Sequence, residues 1–267
     1  MATATLRSAR RPRDFVRVAG PDSEDYLQRL LSQDVAIDVG DAREALLLTA
    51  KARVIAPLVV LRRSHDDFLL SADVGLGERI VRELRRFRFA AKVEVEAEDH
   101  EPLLVFGDAR PDGAAYPVVD YGEPAWEALD LPVPADARLL TDDELEVLRI
   151  RAGTPRVGRE IDDRVLPAEA GLVERAISFT KGCYPGQEPV ARLHYRGHAN
   201  RGLRVLRLET DEVPEYDAEL VHGGKQVGRV TSAVAADGGV VALAYVRREV
   251  PDDAELTCGN AVARALH

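Results

Sequence analysis

The sequence predicts an α+β fold that ends in a small antiparallel β-barrel. Before residue 107, strand-like runs alternate with two amphipathic helical patterns, which is typical of α+β folds with antiparallel connections. After Arg201, short β-rich runs follow one another with turn signals between them. The 267-residue chain is 46% hydrophobic and 31% charged, a composition typical of a soluble globular protein with two or three compact units.

The first half of the chain begins with a strand, a turn and a helix. Asp14–Val18 alternates as a strand, Gly20–Ser23 supplies a turn and a helix cap, and Tyr26–Leu31 carries apolar residues at helical spacing. A second helix is predicted at Leu76–Phe87, because its apolar residues share one face. Five strand-like runs complete this half: Ala45–Thr49, Val54–Leu61, Phe68–Ser71, Val93–Ala97 and Leu103–Phe106.

The second half separates into loops, one capped helix and the barrel. Gly107–Pro134 is rich in Gly, Pro and Asp, so we expect loops there. Thr141–Glu144 is a capping box that opens a helix. Gly223–Gly224 predicts a tight hairpin and Asp237–Gly239 another turn. The barrel strands are expected at Leu203–Leu208, Glu219–His222, Gln226–Val230, Val240–Val246 and Glu255–Cys258.

Charge and cysteine content exclude several classes of protein. The formal net charge of −10 means that only a local basic patch could hold a polyanion. Cys183 and Cys258 are too few for a disulfide framework or an all-cysteine cluster, and no paired metal-ligand spacing predicts a metal site. The longest apolar runs, such as Val54–Leu61, cannot span a bilayer. No apolar signal run follows the Arg-rich Met1–Arg13, so we expect a cytoplasmic protein without a membrane partner.

The segment Phe179–Glu188 carries the strongest chemical signal. Its two glycines and one proline predict a tight, irregular turn that lets backbone N–H groups approach a ligand. Lys181 lies two residues before Cys183, where its ammonium would favour the reactive thiolate. The alternative is a buried structural cysteine. The segment also offers a stacking face and polar anchors: Tyr184, Gln187 and Glu188.

A basic stripe runs from Lys181 to Arg207, with a net charge of +5. Its cations are Lys181, Arg192, Arg196, Arg201, Arg204 and Arg207, its acid is Glu188, and His194, Tyr195 and His198 are interleaved. The stripe could hold phosphates or the carboxylates of a polyglutamate tail. It could equally be a solvated face whose cations pair with acids elsewhere. A narrow RNA contact is a third interpretation, which the overall charge disfavours.

Glu169 is the candidate acid of the central segments. It lies between Pro167 and Gly171, where its carboxylate could accept paired hydrogen bonds from an aminopyrimidine edge such as that of a pterin. A loop acid at the surface is the simpler interpretation of Glu169 from spacing alone.

These residues resemble the signature of the YgfZ family of folate-binding proteins, which includes a mitochondrial iron–sulfur assembly factor and shares the fold of the glycine-cleavage T-protein. The resemblance covers most of the chain and is weakest at Gly107–Pro134. The matching segments are Lys181–Glu188 (with Pro185 at the variable position), Val190–Arg192, Tyr195–Gly197, Val18–Asp22, Leu31–Val35, Arg149–Glu160 and Leu166–Leu172.

The resemblance implies a three-part ring with tetrahydrofolate, with or without a polyglutamate tail, in its central opening. Residues 1–198 would form a folate-binding region of two interleaved α+β subdomains, and residues 199–267 the barrel. Glu169 would bind the pterin, and Cys183, with Lys181 as its activator, would be the functional thiol. Further folate contacts would come from Tyr184, Gln187, Glu188, Arg192 and Arg196. The implied partners are iron–sulfur enzymes or their assembly factors, with tRNA modification linked only through such clients.

The sequence departs from the T-protein at its paired-Asp motif. Ala56 and Pro57 stand there, and neither supplies the carboxylate that assists attack by the folate nitrogen. We therefore expect no aminomethyltransferase activity, and a folate-dependent one-carbon transferase is the alternative. Two smaller departures are Ala52, where the family usually has Gly, and Pro185, where it often has Thr.

Overall fold

The computed structural model describes residues 6–266, so Met1–Thr5 of the Arg-rich N-terminal segment lie outside the described residues. The strands are β1 (Arg7–Arg10), β2 (Arg13–Ala19), β3 (Ala42–Leu48), β4 (Val54–Ser64), β5 (Asp67–Asp73), β6 (Glu94–Glu98), β7 (Pro102–Phe106), β8 (Ala115–Val118), β9 (Ala125–Leu129), β10 (Arg138–Leu139), β11 (Arg201–Leu208), β12 (Glu219–His222), β13 (Lys225–Ala236), β14 (Gly239–Arg247), β15 (Leu256–Cys258) and β16 (Ala261–Ala265). The helices are α1 (Ser23–Leu30), α2 (Gly77–Arg86), α3 (Asp142–Arg151), α4 (Val173–Ala176) and α5 (Gln187–Arg196).

The first antiparallel sheet has the strand order β3-β4-β5-β2-β6. Helices α1 and α2 pack on it, and the shared core includes Val16, Leu27, Phe68 and Ile80, all fully buried. The predicted strands and both predicted helices of this region are confirmed, because their apolar periodicities match the faces that the sheet and helices bury.

The second sheet has the order β10-β1-β7-β9-β8, with β1 and β10 parallel. Strands β1 and β2 follow each other in the chain but belong to different sheets, so the chain crosses between the sheets at Arg11–Pro12. The prediction of loops throughout Gly107–Pro134 is wrong, since β8 and β9 lie there. Pro117 is tolerated because β8 is the edge strand of the sheet.

The closed barrel has the strand order β11-β14-β13-β12-β15-β16. The hairpin at Gly223–Gly224 and the turn at Asp237–Gly239 are confirmed, while β16 had not been predicted. The predicted division after residue 198 falls just before β11. Among residues 6–266, no helix combines the length and apolar character needed to cross a membrane.

Helix α3 and the segment after it join the barrel to the rest of the molecule. The predicted capping box at Thr141 and Glu144 is present. Ile150 on α3 packs with barrel residues such as Leu243. The buried Glu160 accepts hydrogen bonds on its carboxylate from Ser232 Oγ (2.6 Å) and Arg149 Nη1 (3.2 Å). These contacts fix the barrel against the central segments.

Candidate functional site

A central cavity of about 370 Å³ lies where the two sheets meet α3 and α4. Its wall is formed by the crossing between β1 and β2, by β3 and β4, by the end of β5, and by residues of α3 and α4. The apolar part of the wall includes Leu46, Pro57, Leu58 and Leu172. Pro57 thus faces the cavity at the position where the T-protein motif would carry an acid, whereas Ala56 is fully buried in the sheet core.

The polar part of the cavity wall is a network of ion pairs. Arg11 contacts Asp120 (Nη1 to Oδ2, 2.9 Å), Arg13 contacts Asp73 (2.5 Å), and Arg175 bridges Glu44 and Asp120. Burial alone would raise the pKa of Asp120, but Arg11 and Arg175 hold it below its ordinary value. Asp120 is therefore ionised, and all three carboxylates of the network, Glu44, Asp73 and Asp120, are already bound to guanidinium groups.

The motif loop, Lys181–Gly186, packs against the turn between β3 and β4. Gly186 has φ of 84°, and a Cβ there would lie 2.6 Å from the carbonyl oxygen of Thr49. Ala52, in the same turn, also adopts a left-handed backbone with φ of 58°. Glycine is thus required at position 186 by close approach, and the turn accepts Ala52 at a position suited to glycine.

Lys181 anchors the motif loop to the end of α1. Its Nζ donates hydrogen bonds to the carbonyl oxygens of Leu31 (2.8 Å) and Gln33 (2.7 Å). Burial lowers the pKa of Lys181 to about 8, and Asp34 partly opposes the shift. No hydrogen bond joins Lys181 to Cys183, although the structure describes both residues. No direct hydrogen bond therefore supports the expected activation of the Cys183 thiol by Lys181.

The two cysteines have opposite environments. The Cys183 thiol is exposed, whereas Cys258 lies in β15 and is buried in the barrel core. Burial raises the pKa of Cys258. The prediction of a buried barrel Cys258 is confirmed, and the alternative that Cys183 is a buried structural cysteine is wrong.

Tyr184 is buried rather than presented to solvent. Its ring packs in a core cluster with Leu46 and Ala52, and burial raises its pKa to about 12. Within the described residues its hydroxyl has no hydrogen-bond partner. Tyr184 therefore packs the loop against the core, and its ring is not exposed for stacking on a ligand.

Helix α5 was not predicted from the sequence, and it carries four of the candidate site residues: Gln187, Glu188, Arg192 and Arg196. Glu188 is in the first turn, where a carboxylate favours the helix N-terminus. Arg192 and Arg196 are exposed one turn apart. The helical spacing of Val190 with Leu193 and of the two arginines was the available signal. Three rings form a cluster beside them: Phe179 stacks on His194 with centroids 4.1 Å apart, and Tyr195 contacts both edge-on.

Glu169 lies away from the lining of the central cavity. Its carboxylate accepts hydrogen bonds from Arg201 Nε (2.9 Å) and from the backbone N–H of Leu166 (3.0 Å). Its neighbours Pro167 and Ala168 line a second cavity of about 300 Å³, shared with α5. The structure thus does not bring Glu169 to Pro57, and its role toward a pterin stays a prediction.

The basic stripe divides into paired and unpaired arginines. Arg201 binds Glu169, Arg204 binds Asp252, and Arg207 donates to the carbonyl oxygen of Gly238. Arg192 and Arg196 have no ion pair with any described residue. Pairing with acids elsewhere therefore accounts for part of the stripe and leaves α5 with free charge.

Comparisons with known proteins agree with this architecture. Residues 200–266 match the family model "CAF17, C-terminal beta-barrel domain". The chain is 30% identical to the tRNA-modifying protein YgfZ of Edwardsiella ictaluri, over 90% of this chain and 84% of that protein. It is 27% identical to an iron–sulfur cluster assembly factor IBA57 homologue, mitochondrial, of Pyricularia oryzae, over 97% and 75%. The glycine cleavage system aminomethyltransferase T of Bartonella henselae superposes with a TM-score of 0.83 at 20% identity, covering 99% and 85%.

Proposed function

The chain belongs to the YgfZ family, and on that premise we propose that it binds a reduced folate in the central cavity and supports the assembly or repair of iron–sulfur enzymes. The observation that carries the proposal is the position of Pro57, which forms part of the wall of a cavity between the two sheets. A T-protein-like fold thus keeps a small-molecule cavity while lacking the acid of the transferase.

The cavity has the size and lining that a pterin needs. Its volume of about 370 Å³ lies within the range of small-molecule sites. Leu46, Pro57 and Leu58 offer an aliphatic surface for a flat ring, and the carboxylates of Glu44 and Asp120 can accept from an N–H edge. A bound tetrahydrofolate would supply one-carbon chemistry, and these residues would bind and orient it.

The cavity favours binding over group transfer. The acids Glu44, Asp73, Asp120 and Glu146 line it and are each bound to an arginine, so none of these four is free to act as a general base. The remaining acid of the lining, Asp142, lies exposed in the first turn of α3. The alternative function, a folate-dependent aminomethyl or one-carbon transferase, would convert an aminomethylated lipoyl carrier and tetrahydrofolate to the reduced carrier, methylene-tetrahydrofolate and ammonia. We expect that assay to stay at background.

Cys183 is proposed as the functional thiol toward iron–sulfur partners. It is exposed on a loop that Gly186 and Lys181 hold in place, so a partner protein can reach it. Lys181 would act by positioning this loop. The proposed clients are iron–sulfur enzymes or their assembly factors in the cytoplasm, and the tRNA modification named for the YgfZ relative would be reached through such clients.

Two variants, one in the central cavity and one outside it, locate the folate by calorimetric titration with tetrahydrofolate. Val74 lines the central cavity and is 64% exposed, so Val74→Trp should narrow the cavity without disturbing the core and weaken binding at least tenfold. Glu169→Gln tests the pterin role of Glu169 outside that cavity. A folate that Glu169 binds directly should lose about tenfold in affinity with the charged hydrogen bond, whereas a folate in the central cavity should bind this variant as it binds the wild type. If only Glu169→Gln weakens binding, the folate lies outside the central cavity. If the wild type binds no reduced folate at about 1 mM, the proposal fails.

A rescue assay tests the thiol separately. In a strain lacking the protein, Cys183→Ser should fail to restore iron–sulfur enzyme activity while retaining folate binding. Cys258→Ser is the matched control, and it should cost some stability and little function, because Cys258 packs in the barrel core. Full rescue by Cys183→Ser would remove the thiol from the mechanism and leave the folate site untouched.

A further inference from the structure

Helix α2 and the turn after it form a second basic surface, well separated in sequence from α5. Residues 77–92 carry six cations and two acids, a local charge of +4 in a chain of net charge −10. The cations are Arg79, Arg82, Arg85, Arg86, Arg88 and Lys92, and the acids are Glu78 and Glu83. Acids of facing elements, Asp22, Asp66 and Glu94, lie around the turn after α2, so the excess of positive charge is greatest on the helix itself.

Most of these cations are not used by the fold. Arg85 donates to the carbonyl oxygen of Val95 and Arg86 pairs with Glu83 (2.8 Å). The other four cations have no carboxylate within ion-pair distance among residues 6–266. Ile80 and Leu84 are the buried side of α2, and Arg79, Arg82 and Arg86 fall on the opposite side by helical spacing. The outer face of α2 is therefore a row of arginines.

Phe89 projects from the turn at the end of this row. It is 90% exposed, and its backbone is left-handed with φ of 36°. Phe87, 41% exposed, lies beside it. A left-handed backbone is unfavourable for a bulky residue, and a phenyl ring that is exposed to solvent does not stabilise the fold. A turn shaped by stability alone would carry Gly or Asn at this position.

We propose that the outer face of α2 and the Phe89 turn bind single-stranded RNA, independently of the folate proposal. Arg79, Arg82, Arg88 and Lys92 would contact successive phosphates, and the Phe89 ring would stack on an unpaired base. Exposed aromatic rings combined with a cationic track are how proteins hold single strands without sequence preference. RNA is the nucleic acid that presents unpaired bases in loops and ends.

An anionic membrane fits this surface less well. Stable attachment to a bilayer takes a large apolar face or two anchoring signals. Here the outer face of α2 carries arginines, and Phe89 alone projects far into solvent. A linear row of cations with one stacking ring matches a polyanionic strand better than a lipid surface.

The test measures fluorescence anisotropy of a labelled oligouridylate of about twelve nucleotides, a length within the range that single-strand binding sites cover. Between about 50 and 200 mM KCl, four phosphate contacts predict a salt slope near −2.8 for the wild type. Arg82→Gln combined with Arg88→Gln should reduce that slope by about 1.4. Phe89→Gly should weaken binding about tenfold and leave the slope unchanged. Arg247→Gln combined with Arg248→Gln, two exposed arginines at the end of β14, is the control of equal charge.

Melting temperature separates recognition from folding. Phe89→Gly relieves the left-handed backbone, so its Tm should not fall while its RNA affinity does. The proposal is overturned if no salt-dependent binding occurs, if Arg247→Gln with Arg248→Gln weakens binding as much as Arg82→Gln with Arg88→Gln, or if Phe89→Gly binds RNA normally. Phosphatidylserine vesicles run in parallel identify a membrane surface instead, should they bind in a Phe89-dependent way while RNA does not.

Discussion

The arginines of the central cavity and the arginines on the outer faces of α2 and α5 carry the same charge in opposite settings. In the cavity wall, Arg11, Arg13 and Arg175 are each bound to carboxylates from distant parts of the chain. On the outer faces, Arg82 and Arg192 have no ion pair with any described residue. These three cavity arginines therefore hold the sheets and helices together. Unpaired charge lies on the outer faces and at Arg10, an exposed residue of the cavity rim that has no ion pair with any described residue.

Removing an arginine from the cavity wall should have the largest effect on stability. Arg175 binds Glu44 and Asp120, so Arg175→Met leaves two half-buried carboxylates without a common partner. We expect a loss of about 2–4 kcal/mol in the free energy of unfolding, below the value for a fully buried pair because Arg175 retains some exposure. Urea denaturation measures the loss. Arg192→Met makes the same chemical change on α5, and equal effects of the two variants would contradict the comparison.

The sequence predicted elements whose signals are local. The capping box at Thr141 and Glu144 and the Gly223–Gly224 hairpin depend on neighbouring residues, and the structure confirms both. Strands β8 and β9 were missed because the glycines and aspartates of their turns mask four- and five-residue strands. Helix α5 was missed because the glycines and proline before it suggested irregular backbone to its end.

The candidate site depends more on contacts that sequence spacing cannot reveal. The exposure of Cys183 and the burial of Cys258 follow from a loop and a strand context, which are readable locally. The groups that Lys181 reaches are about 150 positions away in the chain, and Arg175 meets Glu44 across 131 positions. Proximity in sequence therefore suggested the wrong neighbour for Lys181.

Lys181 is partly buried, as the cavity arginines are, but its ammonium binds carbonyl oxygens and no carboxylate among the described residues. Its titration therefore tests the comparison. Its pKa is lowered to about 8 by burial, against 10.5 in an unfolded chain. Between these values the unfolded chain holds the proton and the folded protein does not, so stability should rise with pH across this window. Because Lys181 is only half-buried, we expect the gain relative to Lys181→Met to be about 1 kcal/mol between about pH 7.5 and 10.

Urea denaturation of wild type and Lys181→Met at both pH values measures this difference, and Lys225→Met serves as the exposed-lysine control. A wild-type advantage that shrinks as the pH rises would contradict the buried ammonium. Such a result would indicate that the positive charge of Lys181 stabilises the fold, as the charges of the paired arginines do.

The smallest effect on stability should come from Arg192 and Arg196. Both are exposed on α5, so Arg192→Gln with Arg196→Gln should change the free energy of unfolding by less than about 0.5 kcal/mol.

If α5 holds a polyglutamate tail, the wild type should bind triglutamyl tetrahydrofolate several-fold more tightly than the monoglutamate, and the double variant should lose that preference. The preference should also shrink as salt is raised, because charges at an exposed surface are screened beyond about 8 Å at physiological ionic strength. Calorimetry at low and high salt measures it, and Arg247→Gln combined with Arg248→Gln, both exposed at the end of β14, is the charge-matched control. Equal affinities for the two folates at low salt would leave α5 as a solvated face, and the free charge of the molecule would then serve partners other than the folate.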